Sequence, residues 1–486
     1  MNSPASNEPE LIAVEGFGEK DLYQRREKIF TRGVKGFYQR LRLYTGWPFL
    51  LAYFLTPWLQ WNDRQAVLFD LPARQFHIFG ITAWPQELWL LGWILIIAAF
   101  ALFTVTTLFG RVWCGYTCPQ TIWTAIFMWI EQITEGQRHQ RIRLDKAPWS
   151  IEKVRKRFAK HFLWLGWAIL TGVSFVAYFT PVRDLVVNLT VLQVGGWTGF
   201  WIAFFTCATY INAGWLREQV CIYMCPYARF QAAMFDQDTL LVSYDATRGE
   251  RRGSRKRGVS KPLEDASLGD CIDCQLCVQV CPTGIDIRDG LQYECISCAL
   301  CIDACDQVME KMGYAPRLIS YTTEHALQGN KTQWLRGRSV GYATVLVIML
   351  LAFATALVKR DPFAVDLIRG RGELFHVMSD GSIRNDYQLK IMNKLQIPVS
   401  FELFVEFPAN KMNEFPGKIE LLSVSRFEVP GGGLEELPLL IKMSAPSSSN
   451  MPLIVRLCEV GGERCVFEET RFIGPMKNDV SMGNRT

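Results

Sequence analysis

Between residues 271 and 305 the chain places eight of its fifteen cysteines: Cys271, Cys274, Cys277 and Cys281, then Cys295, Cys298, Cys301 and Cys305. Each run reads C-x2-C-x2-C-x3-C. A two-residue gap repeated inside one tight loop points successive thiolates at one small volume, which suits an iron–sulfur cube. In two-cluster ferredoxins the fourth cysteine of each run serves the other cluster. The spacing therefore assigns Cys271, Cys274, Cys277 and Cys305 to one 4Fe–4S cluster, and Cys295, Cys298, Cys301 and Cys281 to a second. Zinc fits less well, because its four ligands usually come as two separated pairs. A disulfide framework would need an oxidising compartment, whereas the charge distribution below puts this stretch in the cytoplasm. Pro282 follows Cys281 as the bacterial pattern expects, but Asp306 stands where the second proline would be. That predicts a weakened turn after Cys305 with the ligand set intact.

A second cysteine system lies upstream. Residues 112–119 read V-W-C-G-Y-T-C-P and residues 220–226 read V-C-I-Y-M-C-P, so C-x-Y-x-C-P occurs twice, each time at the end of an apolar run. Cysteines at i and i+4 share a helix face, and proline suits the first helical position. If Pro119 and Pro226 open the amphipathic segments 120–135 and 227–242, Cys118 and Cys225 sit at helix N-termini, where the thiolate is favoured. Together Cys114, Cys118, Cys221 and Cys225 make a soft-ligand site for Cu(I), zinc or another iron–sulfur centre, with Met224 as an added thioether. The alternative is a pair of helix-breaking turns with packed cysteines. Cys207, alone in mid-span, reads as packing. The five histidines (His77, His139, His161, His325 and His376) form no pair within the spans, which disfavours an intramembrane b-type haem. Cys458 and Cys465 flank Gly461-Gly462 symmetrically. A hairpin there sets them opposite each other, within reach of a bridge; buried thiols and a transient copper site are the alternatives.

These residues need elements to hold them. Charged residues are only 20% of the 486, and 16 tryptophans and 31 phenylalanines point toward lipid. Net charge is +5 and no nucleic-acid module accompanies the basic runs, so DNA or RNA binding is excluded as a function. Five runs approach the roughly 20 apolar residues a bilayer requires: 41–61, 88–109, 162–181, 197–216 and 339–358. Pro48 and Pro57 interrupt the first. The two C-x-Y-x-C-P hairpins then read as parallel repeats, which would bring both motifs to one depth. The segment before the first run and the loop 109–161 are rich in lysine and arginine, whereas 62–87 carries Arg64 and Arg74, and 182–196 carries Arg183. The positive-inside rule places the N-terminus and the 271–305 cysteines in the cytoplasm, and everything after the fifth span outside.

The resulting fold class is a multi-domain membrane protein: five transmembrane α-helices, a cytoplasmic bacterial-type two-cluster ferredoxin insert of α+β type, and a C-terminal immunoglobulin-like β-sandwich. Residues 1–40 form a polar, then basic, N-terminal segment whose first 24 residues read as disordered. The four-helix region is 41–216, the cytoplasmic region 217–338 with its ferredoxin unit at about 262–312, the fifth helix 339–358, and the outer domain 359–486. The basic run at 248–257 reads as a solvated loop near anionic headgroups or as a docking site for an acidic electron donor. Expected strands fall at 387–393, 399–406, 419–425, 437–442, 453–457 and 466–472, separated by turns such as Pro416-Gly417, Pro430-Gly431 and Pro446-Ser447. No catalytic constellation shows among them, which suggests a partner-facing role.

The order of spans, paired C-x-x-x-C-P motifs, dicluster insert and outer sandwich resembles the cytochrome c oxidase accessory proteins of the CcoG/FixG/RdxA type, from about Arg40 onward. The likeness is most specific at 217–221 (R-E-Q-V-C), at 281–286 (C-P-T-G-I-D) and at 383–385 (I-R-N). It implies a bacterial inner-membrane protein, working in the lipid bilayer, that helps assemble the cbb3-type haem–copper oxidase. It also implies reduction of Cu(II) to Cu(I), with oxidase assembly factors or copper chaperones as partners and a cytoplasmic electron donor. The same C-x-x-x-C-P element occurs in quinol-linked membrane ferredoxins, so a relay without copper chemistry is the rival reading, and a non-catalytic assembly scaffold is a third.

Overall fold

The computed structural model describes residues 28–475, apart from 63, 256–267, 371, 409–418, 445–448 and 463. The acidic stretch 1–24, Lys256-Arg257 of the basic run, and the turns at 416–417 and 446–447 lie outside the described residues.

Helix α1 (Phe37–Leu55) stops where Pro57 opens a 3-10 turn, so the expected span 41–61 is cut short. The 62–87 loop folds into a small β structure: β1 (Gln60–Trp61) pairs with β2 (Arg64–Gln65), and β3 (Val67–Asp70), β4 (Gln75–Ile78) and β5 (Ile81–Ala83) form an antiparallel sheet. Helix α2 (Leu88–Phe109) coincides with the second expected span. Then come α3 (Val112–Tyr116), α4 (Pro119–Thr134) and α5 (Arg138–Lys146). Helix α6 (Ile151–Val176) begins eleven residues before the expected third span and ends five short of it, because Ser150 caps its first turn and the chain reverses at 177–180. After α7 (Val182–Thr190), α8 (Gly196–Thr209) turns π-helical at Tyr210–Leu216 and again at Val220–Met224. Among the described residues three helices are long and apolar enough to cross a membrane: Pro85–Phe109, Ile151–Val176 and Gly337–Val358. The first and fourth expected spans do not form unbroken helices of that length.

Helix α9 (Pro226–Met234) is shorter than the expected 227–242 segment, because the chain turns into β6 (Leu241–Tyr244). β6 pairs with β7 (Ile319–Thr322) across the cysteine-rich stretch, which holds α10 (Ala246–Gly249), α11 (Leu276–Val280) and α12 (Leu300–Met312). After α13 (Glu324–Leu327), α14 (Gly337–Val358) leads into the sandwich.

Its strands are β8 (Phe363–Arg369), β9 (His376–Val377), β10 (Ile383–Asn393), β11 (Val399–Glu406), β12 (Ile419–Leu421), β13 (Arg426–Val429), β14 (Leu434–Met443), β15 (Asn450–Glu459) and β16 (Cys465–Ile473). One sheet runs β12-β14-β10-β8 with β9 also on β10; the facing sheet runs β13-β11-β15-β16. The expected strand 419–425 is only 419–421, because the chain leaves one sheet after Leu421; it enters the other at Arg426 as a strand the sequence reading did not expect. Alternating inward residues such as Leu389, Ile391, Phe401, Ile441, Leu453 and Phe472 make the core, each contributing about 2 kcal/mol by burial. Asn385 ties the two sheets: its side chain both donates to and accepts from the Ile473 backbone at 2.8 Å. Cys458 and Cys465 face each other across the β15–β16 hairpin and are disulfide-bonded.

The sandwich meets the bundle at one end. Glu87, just before α2, accepts from Arg360 at 2.7 Å and pairs with Lys394 at 2.9 Å, while Arg64 donates to Gln396 at 2.7 Å. The cysteine sites lie at the other end of α2.

Candidate iron–sulfur and metal centres

The two C-x2-C-x2-C loops have the same backbone. Asp273 and Gln275 in the first, and Ser297 and Ala299 in the second, all take positive φ, between 50° and 59°. Alternating left-handed residues turn backbone N–H groups inward, which is how a chain wraps an anionic iron–sulfur core. Each loop then opens a helix, at Leu276 and at Leu300, carrying Cys277 and Cys301 on the first turn. Pro282 ends α11 at once, leaving Cys281 as its C-cap. Asp306 has no such effect: in place of the expected weak turn, α12 continues through Cys305 to Met312.

The grouping follows the crossed pattern. Cys305 interacts electrostatically with Cys277, Cys274 and Cys271. Cys301 does so with Cys298, Cys295 and Cys281 and, less strongly, with Cys277, and these five cysteines line one small cavity. Burial pushes the free thiols up, Cys277 to about 11 and Cys295 and Cys305 to about 12, so they ionise only opposite a cation. Donors aim at the sulfurs: the Ser297 N–H at Cys295, and Arg288, itself held by Asp286 and Asp273, at Cys271. Buried thiols in nest-forming loops with N–H donors fit iron–sulfur ligation.

Both C-x-Y-x-C-P motifs end in a cysteine N-cap with proline at the first helical position, on α4 and α9. All four cysteines come together: Cys114 interacts with Cys118, Cys221 and Cys225, and Cys221 with Cys118 and Cys225. The expected low thiol pKa at Cys118 is not found. Burial raises it, outweighing the N–H groups of Thr121 and Gln120, and raises Cys114 to about 12 and Cys221 to about 11. Met224 is 61% exposed rather than gathered in with the thiols. Among the described residues no three His, Cys, Asp or Glu side chains are grouped to hold a single metal ion.

The two cysteine systems touch. A Cβ on Gly115 would lie 2.8 Å from the Ile296 carbonyl, 2.9 Å from that of Ser297 and 3.0 Å from Cα of Cys298. The first motif therefore rests its bare backbone on the second dicluster loop. Arg111 reinforces the joint, donating to the carbonyls of Tyr293, Cys295 and, beyond the second motif, Ala228. Tyr321 bonds the Ser297 carbonyl and reaches Tyr116 at 3.2 Å. On the other side Asp303 of α12 accepts from the Tyr38 and Gln39 N–H groups at 3.1 and 2.8 Å, fixing the start of α1. None of these contacts has a local sequence signature, although a glycine between two ligand cysteines was a clue to close approach.

Arg217 anchors the second motif. At φ 47° it is in the left-handed region, and its guanidinium grips Glu131 at 2.7 and 3.2 Å. Glu131 of α4 and Glu135, its C-cap, also meet Arg141 and Lys160 in a buried network. Burial alone would raise Glu131, but Arg217, Lys160 and Arg141 hold it below the usual carboxylate range.

Two expectations need correcting. The described part of the 248–257 run is not a free basic face: Arg248 pairs with Asp270 and the carbonyls of Ala315 and Pro316, Arg252 with Glu250, and Arg255 with the Gly269 carbonyl. These arginines tie residues 248–255 to the loops at 269–270 and 315–316 that flank the dicluster region. Cys207 is exposed on α8 rather than packed.

Comparison with known proteins agrees with this architecture. Residues 91–135 match a 4Fe-4S binding domain, 216–324 a 4Fe-4S dicluster domain, and 353–475 the immunoglobulin-like fold at the C-terminus of FixG. The nitrogen fixation protein FixG of Rhizobium meliloti is 40% identical over 430 residues, 80% of this chain and 82% of its own length. Protein RdxA of Cereibacter sphaeroides is 38% identical over 461 residues, 91% of this chain and 95% of its own. Protein RdxB of the same organism is 43% identical over 387 residues, 77% and 80% of the two chains. The chain belongs to the FixG/RdxA family, and is an iron–sulfur electron-transfer protein with membrane character.

Proposed function

We propose that this chain passes electrons from its dicluster region to the site at Cys114, Cys118, Cys221 and Cys225, where Cu(II) is reduced to Cu(I) for assembly of a cbb3-type haem–copper oxidase. The observation that carries the route is the Gly115 contact, which leaves no side chain between the first motif and the loop of Cys295 and Cys298. Iron–sulfur clusters at the eight dicluster cysteines supply one-electron storage. The chain's own part is to hold the two cysteine systems together through Arg111, Gly115 and Asp303, and to bury the thiols so that a cation is needed to ionise them. Thiolates prefer the soft cuprous ion to the cupric one, so the ligand type itself favours copper reduction.

The lysine and arginine distribution supports a bacterial inner-membrane setting with α2, α6 and α14 as full crossings, joined by the shorter α1 and by α8 together with its π-helical continuation to Leu216. The N-terminus and dicluster region then face the cytoplasm and the sandwich the periplasm, where the Cys458–Cys465 bridge is permitted and an assembly factor or copper chaperone would dock. Cupric reduction by protein pre-reduced with dithionite is expected to vanish in the Cys118→Ala, Cys225→Ala double variant; reduction that survives removes copper from this site.

A second reading is favoured by the 4Fe-4S binding domain match at 91–135, which takes in Cys114 and Cys118: the four cysteines hold a third 4Fe–4S cluster, with copper only a passing substrate or absent. Iron analysis separates the two, at about eight atoms per chain for two clusters and about twelve for three.

A further inference from the structure

A cavity of about 510 Å³ opens between α6 and the π-helical end of α8, walled by Phe158, Phe162, Leu165, Ile211 and Trp215. Its volume falls in the range of small-molecule sites, and its walls are apolar and aromatic. The polar exceptions are Thr206 and a hydrogen-bonded pair: His161 Nδ1 and the Tyr210 hydroxyl lie 2.7 Å apart. Tyr210 is the first residue of the π-helix, a distortion that often accompanies function.

The pair is wired inward. Buried Trp164 meets both rings edge-on, His161 at 5.3 Å and Tyr210 at 6.0 Å between centroids. On its other side the Arg217 guanidinium sits 5.5 Å from the same indole. Arg217 lies four residues before Cys221, and its carbonyl accepts from Gln120, two residues after Cys118, at 3.1 Å. A lipid acyl chain would explain apolar walls; it would not use a histidine–tyrosine hydrogen bond backed by a ring contact leading to redox cysteines.

We propose that this groove binds a lipid-soluble quinol and is where the chain receives electrons. The proposal rests on the electron-transfer reading above and not on copper. The headgroup lies among the aromatic walls with one hydroxyl on His161 and Tyr210. Oxidation breaks both quinol O–H bonds. Its two electrons go one each to the two 4Fe–4S centres, one proton goes to His161 and on to water, the second leaves to water directly, and the quinone departs. Two one-electron acceptors match one two-electron donor.

The test uses the full chain in lipid nanodiscs under anaerobic conditions. Decylubiquinol and a menaquinol analogue are expected to bleach the cluster absorbance without copper. His161→Leu with Tyr210→Phe should slow this by about tenfold or more, as loss of a hydrogen bond would, while dithionite still bleaches the variant fully. Cys207→Trp, which fills the groove, should slow it likewise. An azido-quinone, photolysed on the protein, should label peptides containing 158–165 and 206–215, and Cys207→Trp should abolish that label. Bleaching by dithionite but not by either quinol overturns the proposal alone, as does labelling spread along the lipid face of α2 and α14. Clusters that dithionite itself cannot reduce overturn the reading beneath it, and the labelling still decides whether the groove takes a quinone.

Discussion

The first C-x-Y-x-C-P motif leaves its helix as an ordinary α-turn and meets the dicluster loop through Gly115, whereas the second leaves through two π-helical stretches and carries Ile222 at the matching place. The tyrosines diverge in the same way. Tyr116 is 6% exposed and bonded to Tyr321, while Tyr223 is 70% exposed. Two copies of one sequence pattern have thus been fitted to different neighbours, one to protein and the other to the outside. The shared residues set the ligands; the residues between them set what each copy can reach.

The sharpest way to break this contrast is to add a side chain at the joint. Gly115→Leu would drive carbon into backbone atoms of residues 296–298, none of which can rotate away. We expect this variant to lose the cluster bound by Cys295, Cys298, Cys301 and Cys281, about half the iron of the dicluster region, while Ile222→Leu keeps it. Iron analysis and visible absorbance read the difference, and a Gly115→Leu protein with full iron would show that the motifs are equivalent after all.

The next largest effect separates the anchors. Arg217→Ala takes the bidentate partner from Glu131 but leaves Arg141 and Lys160 beside it, which should cost about 3 kcal/mol in the denaturant unfolding of the bundle. Arg217→Lys restores the charge without the fork and should recover part of it. An Arg217→Ala protein as stable as the parent would mean that the second motif needs no anchor.

Acid sensitivity sharpens the same point. Glu131 is held below its unfolded value by its cations, so its stabilisation is present at neutral pH and is lost as pH falls through the lowered value. The parent should lose stability on acidification below about pH 4, and Glu131→Gln should start less stable and show a shallower acid limb. The smallest effect serves as a control remote from both motifs. Cys458→Ser with Cys465→Ser opens a short loop, should destabilise the sandwich by about 2 kcal/mol, and should leave iron content unchanged.

That the dicluster cysteines gather was legible because their spacing is local, and the sandwich because inward residues alternate along β10, β11 and β15. The hairpin bridge was legible for the same reason, since register follows from a short turn. What escaped sequence reasoning depends on partners far along the chain. Asp273, Gln275, Ser297 and Ala299 are not residues that advertise a left-handed backbone. The π-helix of α8 gives no periodicity signal, so the fourth run read as a plain span. The arginines at 248–255 looked like a solvated patch because their carboxylate and carbonyl partners lie up to 68 residues away.

Glu87 sits where the small sheets, α2 and the sandwich converge, bound by Arg360 and Lys394 from the last of these. Helix α2 then runs 22 residues without a break, a rod about 33 Å long, and delivers Arg111 and Cys114 just past its far tip. The sandwich is therefore pinned to one end of a lever whose other end carries the thiols, and a tilt imposed at the pin would arrive at the cysteines as a displacement.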